Sequence, residues 1–354
     1  MASGRIHALD TLRGLMLVVM AIDHLDLYGP VYRVTFETAW FASAAEGFVL
    51  LSGMVAGLVY GAYAAEPGRL GAAVRRRLAT LWRYHLVIVA GLGAAWLAHA
   101  AEAPPGLPQA AARLAGGAVL LNQEPPLDIL PLYLLFVALL PLVLGGLRAG
   151  RAPLVLAVSA GFWLLDQVLT GAGRYPVGVS FDLAGVGVAW QGNYFHPLAW
   201  QFLFVGGVWA GWRHRHGGGG PAVAGRGVVI AAAVVVLLGA ALRHGIVLPE
   251  LPRADLVAAR VNLGPWRLLN VVALAVLLTG LAGRAPSLLR GRWLELLGRH
   301  ALLVFTWQTL VQMLAGPLYR DAAAAGGLPV RLALLAVAVA SLALPAWWAG
   351  RRRR

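Results

Sequence analysis

The chain of 354 residues contains no cysteine and no lysine, and only 12% of its residues are charged. Without cysteine it has neither a disulfide framework nor a thiol nucleophile. A soluble domain typically has about 25% charged residues, so the low charge excludes that class. All 29 side chains with a permanent positive charge are arginines, and we base no function on the missing lysine.

Apolar runs recur along the whole chain, which is 60% hydrophobic. A membrane-spanning helix needs about 20 mainly apolar residues. Candidate spans are residues 12–28, 45–63, 81–100, 127–146, 153–170, 195–212, 228–243, 266–282, 300–316 and 330–349. The sequence therefore predicts an all-α polytopic membrane protein of about ten helices, with residues 1–354 in one domain. No small-residue cleavage site follows the first run, so we interpret it as a retained helix and not a signal peptide.

The arginines indicate an orientation, because cytoplasmic loops of membrane proteins are enriched in basic residues. With a cytoplasmic N-terminus, ten helices place most arginines, including the run 351–354, on the cytoplasmic side and most acids on the other. Both termini are thus predicted to be cytoplasmic, in a multi-pass protein of the cell inner membrane. The concentration of arginines in cytoplasmic segments then explains the net charge of +14. We therefore expect the lipid bilayer as a partner but no nucleic acid.

The first predicted helix, residues 8–28, carries charge at membrane depth, which is costly and usually functional. Arg13 precedes His24 by eleven residues, three turns plus about 20° at roughly 100° per residue. Both side chains therefore lie on one face, about 16 Å apart along the axis. Asp23 is adjacent to His24 but points about 100° away from it. Glu46 on the second helix is therefore an equally good partner for the histidine.

Polar side chains near the predicted outer surface suggest an acid–base site. His24 has an ordinary pKa near 6.5, which suits a general base, and a carboxylate of Asp23 or Glu46 would orient it. These three are the predicted catalytic residues. The predicted acceptor-binding residues on the same side are Asn193, His196, Trp200, Gln201 and Arg267. The sequence indicates no metal site and no tightly bound cofactor.

An arginine-rich group near the predicted inner surface suits an anionic donor such as acyl-coenzyme A (acyl-CoA). Guanidinium groups bind phosphate in a two-pronged geometry, which favours arginine at such a site. The predicted donor-binding residues are Arg13, Arg76, Arg77, Arg83, His85 and Arg299. Acyl-CoA is thus the expected co-substrate, and an extracytoplasmic glycan or another hydroxyl compound is the expected acceptor.

Several segments resemble one known family. ALDTLRGLMLVVMAIDH, residues 8–24, and AAEGFVLLSGMVAGLVYG, residues 44–61, resemble the OpgC family, membrane acyltransferases that succinylate osmoregulated periplasmic glucans. Later segments are also similar to that family: RRRLATLWRYHL (75–86), ILPLYLLFVALLP (129–141), HPLAWQFLFVGG (196–207) and LGRHALLVFTWQ (297–308). The Arg13–His24 spacing also looks like the signature of the broader type 3 transmembrane acyltransferases. The small residues of 50–57 suit close helix packing.

The resemblance implies a ten-helix enzyme that transfers an acyl group such as succinyl from a cytoplasmic thioester to an extracytoplasmic hydroxyl. It makes His24 the catalytic histidine, Arg13 its motif partner and Glu46 the acid of the second helix. Three positions depart from the family pattern. Ser43 stands where an aspartate is common, and His196 replaces the asparagine of an NPxxWQ segment. The acidic residue often seen beside the first arginine is missing, since the sequence reads RIH from Arg5.

Two other functions are considered beside the acyltransferase. A transporter or flippase of an acylated or glycan-linked substrate would use Asp23, His24 and Glu46 as a proton relay. A catalytically silent membrane subunit would need none of these groups, so their presence within spans disfavours it. The sequence has no convincing internal repeat, which disfavours the transporter because many transporter folds are built from inverted halves.

Overall fold

The structure is a computed structural model, which describes residues 6–99, 104, 106–123, 125–174, 180–183, 186–189, 195–217, 225–247 and 259–351. The helices of the first half are α1 His7–Leu25, α2 Phe36–Ala39, α3 Ala44–Tyr60, α4 Pro67–Ala98, α5 Leu107–Ala118, α6 Ile129–Arg148 and α7 Ala152–Gly171. Those of the second half are α8 Pro197–His216, α9 Arg226–Arg243, α10 Pro265–Arg284, α11 Arg292–Arg299, α12 Ala301–Ser341 and α13 Ala343–Arg351. Three 3₁₀ turns lie at Tyr32–Val34, Gly61–Tyr63 and Pro286–Leu289. Two short strands, β1 Ser180–Leu183 and β2 Val186–Ala189, pair as an antiparallel hairpin within a predicted loop.

Seven helical stretches of the described chain are long and apolar enough to cross a membrane. Six contain α3, α4, α6, α7, α9 and α10, and the seventh, Ala301–Arg351, contains α12 and α13. Inside α12 the backbone leaves helical geometry at Gly327, where φ is 65°, so this stretch consists of two consecutive rods. Helices α1 and α8 lie where spans were predicted but are more polar and fall outside the seven. The multi-pass helical architecture is confirmed, whereas the number ten and the orientation of the termini stay predictions.

Helices α3 and α8 pack with their backbones in contact. Each helix presents two glycines four residues apart, and the four are Gly53, Gly57, Gly207 and Gly211. A Cβ atom at Gly57 would overlap the carbonyl oxygen of Val208, and one at Gly211 would overlap that of Met54. Small residues allow this approach, so the packing role predicted for residues 50–57 is confirmed.

A second backbone contact joins α1 to the short helix α11. A Cβ at Gly14 would overlap the carbonyl oxygen of Leu294, and one at Gly298 would overlap that of Asp10. Arg13, which precedes Gly14, donates from Nη1 to the carbonyl oxygen of Gly298 at 3.3 Å. The glycines therefore determine where the arginine of α1 meets α11.

Aromatic side chains from four helices meet at the centre of the protein. The ring of Phe48 lies 5.9 Å from that of Tyr133 and 6.5 Å from that of Phe305, measured between centroids. Phe136 and Phe204 stack at 5.3 Å. Offset or edge-to-face pairs of this kind add to the stabilisation from buried apolar area. The candidate site borders this apolar centre.

Candidate active site

A glutamate and an arginine form a buried ion pair between α3 and α10. Arg267 pairs through Nε with Oε1 of Glu46, and their side chains are only 5% and 0% exposed. Glu46 occupies the third position of α3 and completes a capping box with Ser43. Its Oε2 accepts the Ser43 backbone N–H at 2.7 Å and also the Ser43 hydroxyl group. Both carboxylate oxygens of Glu46 are therefore engaged, by Arg267 and by the start of its own helix.

A second glutamate extends this pair towards the surface. Oε1 of Glu37, on α2, lies 3.4 Å from Nη2 of Arg267, and its Oε2 lies 3.2 Å from Nη1 of Arg260. Side-chain exposure rises from the Glu46–Arg267 pair outwards, since the Glu37 side chain is 12% exposed and that of Arg260 is 35% exposed. We call Glu46, Arg267, Glu37 and Arg260 the acid–arginine network. The sequence analysis predicted two of its members and missed Glu37 and Arg260, which lie between apolar runs.

His24 lies at the accessible end of the network. His24 is exposed at the surface of the protein. The charge of Arg260 acts on the imidazole, and the charges of Arg260, Glu37 and Glu46 act on the adjacent Asp23. No hydrogen bond between His24 and either Asp23 or Glu46 occurs in the described part of the chain. The carboxylate partner of His24 thus stays a prediction.

Asp26 holds the end of α1 in place, and the sequence analysis did not include it in the site. This carboxylate is fully buried, and its Oδ2 accepts two backbone N–H groups of the following turn at 3.0 and 3.2 Å. Its Oδ1 accepts the Tyr319 hydroxyl at 3.0 Å and lies 3.0 Å from Nε of Arg331. Tyr319 and Arg331 lie on opposite sides of Gly327, so one carboxylate joins α1 to both rods of α12. His24, two residues earlier, is positioned by this anchor.

Trp200 and His196, two predicted acceptor residues, support the turn that carries Arg260. The fully buried Trp200 lies with Nε1 3.2 Å from the carbonyl oxygen of Arg260 and 3.0 Å from that of Val261. The backbone N–H of His196 donates to the Val261 carbonyl at 2.9 Å. These contacts place Arg260 next to Glu37, so the two predicted residues act on the network through the backbone.

The side chains of His196 and Gln201 also join α8 to α7. Nδ1 of His196 lies 3.1 Å from Oδ2 of Asp166, and both groups are buried. Gln201 accepts the Ser159 hydroxyl at 2.6 Å and donates to the Ser159 carbonyl oxygen at 2.8 Å. Asn193, another predicted acceptor residue, lies outside the described residues. Of the predicted acceptor residues in the described ranges, Arg267 is the one whose side chain belongs to the acid–arginine network.

Arg13, predicted to bind the donor, is half-buried beside the aromatic centre. Its guanidinium carbon lies 5.7 Å from the centroid of the Phe48 ring, and its Nη1 donates to Gly298. The positive charge of Arg77, a second predicted donor residue, acts on it. Arg13 and Arg77 are therefore brought to one region, as the prediction of a common binding role requires.

Three other predicted donor residues lie elsewhere on α4. This helix has 32 residues and begins at Pro67, fourteen positions before the predicted span. His85 is eighteen residues into it, about 27 Å along the axis, and its Nε2 lies 2.8 Å from the carbonyl oxygen of Gly117 in α5. The predicted place of Arg83 and His85 at the start of the helix is therefore wrong. Arg76 and Arg83 are exposed on α4.

Arg299, the last predicted donor residue, belongs to an ion-pair group at the α1–α11 contact. Its Nη2 lies 3.0 Å from Oε2 of Glu295, and its Nε lies 3.8 Å from Oδ2 of Asp10. His7 lies 2.9 Å from the same Glu295 oxygen. The hydrogen bond with His7 and the charge of Arg299 lower the pKa of Glu295 below its ordinary value. This group fastens α11 to α1.

Two neighbouring cavities lie along α1. One is apolar, has a volume of about 840 Å³, and runs between α1, α3, α8 and α10. Its lining includes Arg290 and Ser43, the residue of the capping box. The other, of about 850 Å³, lies where α6 and α8 end. Both are lined by Ile6, Leu9 and His214. The two cavities are therefore neighbours, one at the ends of α6 and α8 and the other extending to Ser43.

Fold and site together define a multi-pass helical membrane protein with an accessible histidine beside a buried acid–arginine network. The chain belongs to the OpgC family, since the family model described as "OpgC protein" matches residues 5–354. The resemblance found in the sequence is thereby confirmed, and membership implies an acyltransferase role in glucan modification. No curated protein and no solved structure matches the chain.

Proposed function

We propose that the protein is an O-acyltransferase of the cell inner membrane that uses cytoplasmic acyl-CoA and acylates a hydroxyl of an extracytoplasmic glycan. Succinyl-CoA is the proposed donor, and His24 is the proposed general base. The observation that carries the proposal is the accessible imidazole beside the acid–arginine network, in a chain of the OpgC family. A family role in glucan modification supports a glycan as the acceptor.

In the proposed reaction, neutral His24 takes the proton of the acceptor hydroxyl as the hydroxyl oxygen attacks the thioester carbonyl carbon. A carbon–oxygen bond forms, and the carbonyl π electrons move to the carbonyl oxygen. When this intermediate collapses, the carbon–sulfur bond breaks and the CoA thiolate leaves. The proton on His24 is then transferred to the thiolate sulfur. A positioned general base typically contributes about 10²–10⁴-fold to the rate.

Arginine side chains beside the histidine would stabilise the negative oxygen of the intermediate. Arg260 is the more accessible of the two network arginines, and its charge reaches His24. Glu37 holds Arg260 at 3.2 Å and also contacts Arg267. A cation that is fixed before the reaction needs no rearrangement when the charge develops, and this is the usual source of electrostatic catalysis. In this proposal Glu46 and Glu37 are positioning residues for the arginines.

The apolar cavity is the proposed path of the acyl group to this site. It is lined by Ile6 next to the start of α1 and by Ser43, whose backbone and hydroxyl contact Glu46. An acyl group on the flexible thiol arm of CoA would extend through it, while the charged part of CoA stays in water. If the N-terminus is cytoplasmic, as predicted, the entrance lies on the side where acyl-CoA occurs.

The proposal is tested by acyl transfer with the purified full-length protein in proteoliposomes. Radiolabelled succinyl-CoA is supplied on one side of the membrane and a periplasmic glycan fraction on the other, and label on the glycan is measured. We expect His24→Ala to lower the transfer rate about 100-fold or more, from the usual contribution of a general base. His244→Ala is the matched control, because His244 is exposed just after α9, and it should transfer at the wild-type rate.

Transfer at the wild-type rate in His24→Ala would remove this residue from the mechanism. Movement of an acylated or glycan substrate across the vesicle membrane without any acyl donor would instead support the transporter. The enzyme proposal would be contradicted if the wild-type protein transferred no acyl group from any acyl-CoA tried.

A further inference from the structure

The cavity of about 850 Å³ at the ends of α6 and α8 has a basic and aromatic wall. Arg148 is the last residue of α6, and Trp212, His214, Arg215 and His216 belong to the last turns of α8. All five line the cavity. Its volume is within the range of about 300–1,000 Å³ that is usual for small-molecule sites.

The two arginines of this wall are fixed by the backbone. Nη1 of Arg148 donates to the carbonyl oxygen of Ala64 at 3.3 Å, and Nη1 of Arg215 donates to that of Leu58 at 3.0 Å. Both carbonyl groups lie near the end of α3, so the two cations flank one segment of chain. An arginine keeps further N–H groups for a ligand when one of its five is used in this way.

Aromatic rings complete the wall. The rings of Trp212 and His216 lie 3.8 Å apart between centroids, tilted by 31°. His214 is partly buried, and its Nδ1 has no hydrogen-bond partner within the described ranges. Flat rings next to arginines suit a ligand that combines an aromatic base with phosphates, because bases stack on aromatic faces and guanidinium groups bind phosphates. The wall also contains the acid Asp10, which lies 3.8 Å from Arg299.

We propose that this cavity binds the adenosine 3′,5′-bisphosphate end of the acyl-CoA donor. Arg148 and Arg215 would bind the phosphates, and Trp212 would pack against the adenine. The inference rests on the proposed function and adds the place where the donor binds. It assigns phosphate binding to α6 and α8, where the sequence analysis assigned it to α4 residues such as Arg76. The adjoining apolar cavity, reached past His214, then receives the thiol arm.

The test is a binding measurement on the full chain in nanodiscs of uncharged phosphatidylcholine. The probe is adenosine 3′,5′-bisphosphate, followed by isothermal titration, with adenosine as the phosphate-free comparison. We expect adenosine to bind at least about tenfold more weakly, since a charge-assisted hydrogen bond to phosphate is usually worth about that factor. Arg148→Gln and Arg215→Gln should each weaken bisphosphate binding about tenfold.

The matched control is Arg151→Gln, because Arg151 is exposed three residues beyond Arg148 and does not line the cavity. Its affinity should stay within about twofold of the wild type. The proposal is overturned if wild-type protein binds adenosine as tightly as the bisphosphate. It is equally overturned if Arg76→Gln weakens binding while the two cavity variants do not. The ligand comparison uses wild-type protein, so it remains decisive even if a variant unfolds.

The outcome for this site is separate from the outcome for the reaction. The binding assay contains no acyl group and no glycan, and His24→Ala should bind the bisphosphate like the wild type. Unchanged binding in Arg148→Gln and Arg215→Gln, together with lost transfer in His24→Ala, would refute the site and keep the enzyme. Specific bisphosphate binding without transfer from any acyl-CoA would keep the site and refute the enzyme.

Discussion

Breaking the ion pair between Glu46 and Arg267 should cost more stability than removing both charges. Glu46→Gln leaves Arg267 buried with Glu37 as its remaining carboxylate at 3.4 Å, and Arg267→Met leaves a carboxylate that is 0% exposed. Breaking one partner of a buried pair typically costs 3–5 kcal/mol. We expect the lower end, about 3 kcal/mol for each variant, because Glu37 and Ser43 retain part of the compensation. The double variant should lose less than either single variant, so its loss should fall at least about 3 kcal/mol below the sum of the single losses.

The assay is unfolding of the purified protein in mixed micelles with increasing denaturing detergent, followed by circular dichroism, with acyl transfer measured in parallel. A surface pair provides the control: Glu66 and Arg69 lie 2.8 Å apart, with side chains 52% and 65% exposed. Glu66→Gln should change stability by less than about 0.5 kcal/mol. The reasoning is refuted if Glu46→Gln is as mild as Glu66→Gln, or if the two single losses simply add in the double variant. We expect the double variant to regain stability but not activity, because Glu37 then loses its contact with Arg267 and no longer fixes Arg260 beside His24 in the same way.

Three further predictions concern packing, pH and orientation. Gly57→Ala should separate α3 from α8 and lower the midpoint of thermal unfolding by several degrees. Gly145→Ala is the control and should leave the midpoint unchanged, because its new methyl group would meet no atom within 4 Å. The hydrogen bond that lowers the pKa of Glu295 from its ordinary 4.5 stabilises the fold above that pH and is lost as the pH falls through the lowered value. Glu295→Gln should therefore remove part of the stability loss on acidification below about pH 4.5, seen as a smaller change of the thermal midpoint than in the wild type. In this cysteine-free chain, Gly225→Cys should react with an impermeant maleimide from the cytoplasmic side and Ala172→Cys from the other, and labelling from the same side would contradict the predicted orientation.

Apolar runs locate the helices well because burial in a bilayer requires them, and every predicted span overlaps a described helix. The ends are less predictable, as α4 shows. Its first turns contain the arginine run 75–77 and have low hydropathy, yet they continue the same helix from Pro67. Hydropathy reports where a helix is surrounded by lipid, not where its hydrogen bonds begin. The short helix α5, Leu107–Ala118, was missed for the same reason.

The candidate site was predictable where charge contrasts with its surroundings. His24, Glu46 and Arg267 lie within or next to apolar runs, where an ionisable group is conspicuous. Glu37 and Arg260 lie in connections, where charged residues are ordinary, so sequence offered no contrast that would single them out. The pairing of Glu46 with Arg267 joins positions 221 residues apart. Such a contact depends on how α3 and α10 pack, which local patterns do not contain.

The charged residues of α1 differ in what the fold does with them. Arg13 is held by the carbonyl of Gly298, and Asp10 lies near Arg299, so both meet α11. Asp26 is held by Tyr319 and the turn after α1. The helix is therefore anchored near both ends by groups that have partners, while the imidazole between these anchors is exposed. A general base needs a defined position and an accessible nitrogen at the same time. The anchoring of α1 supplies the first and the exposure of the imidazole supplies the second, which is why His24 is the residue to test before any other.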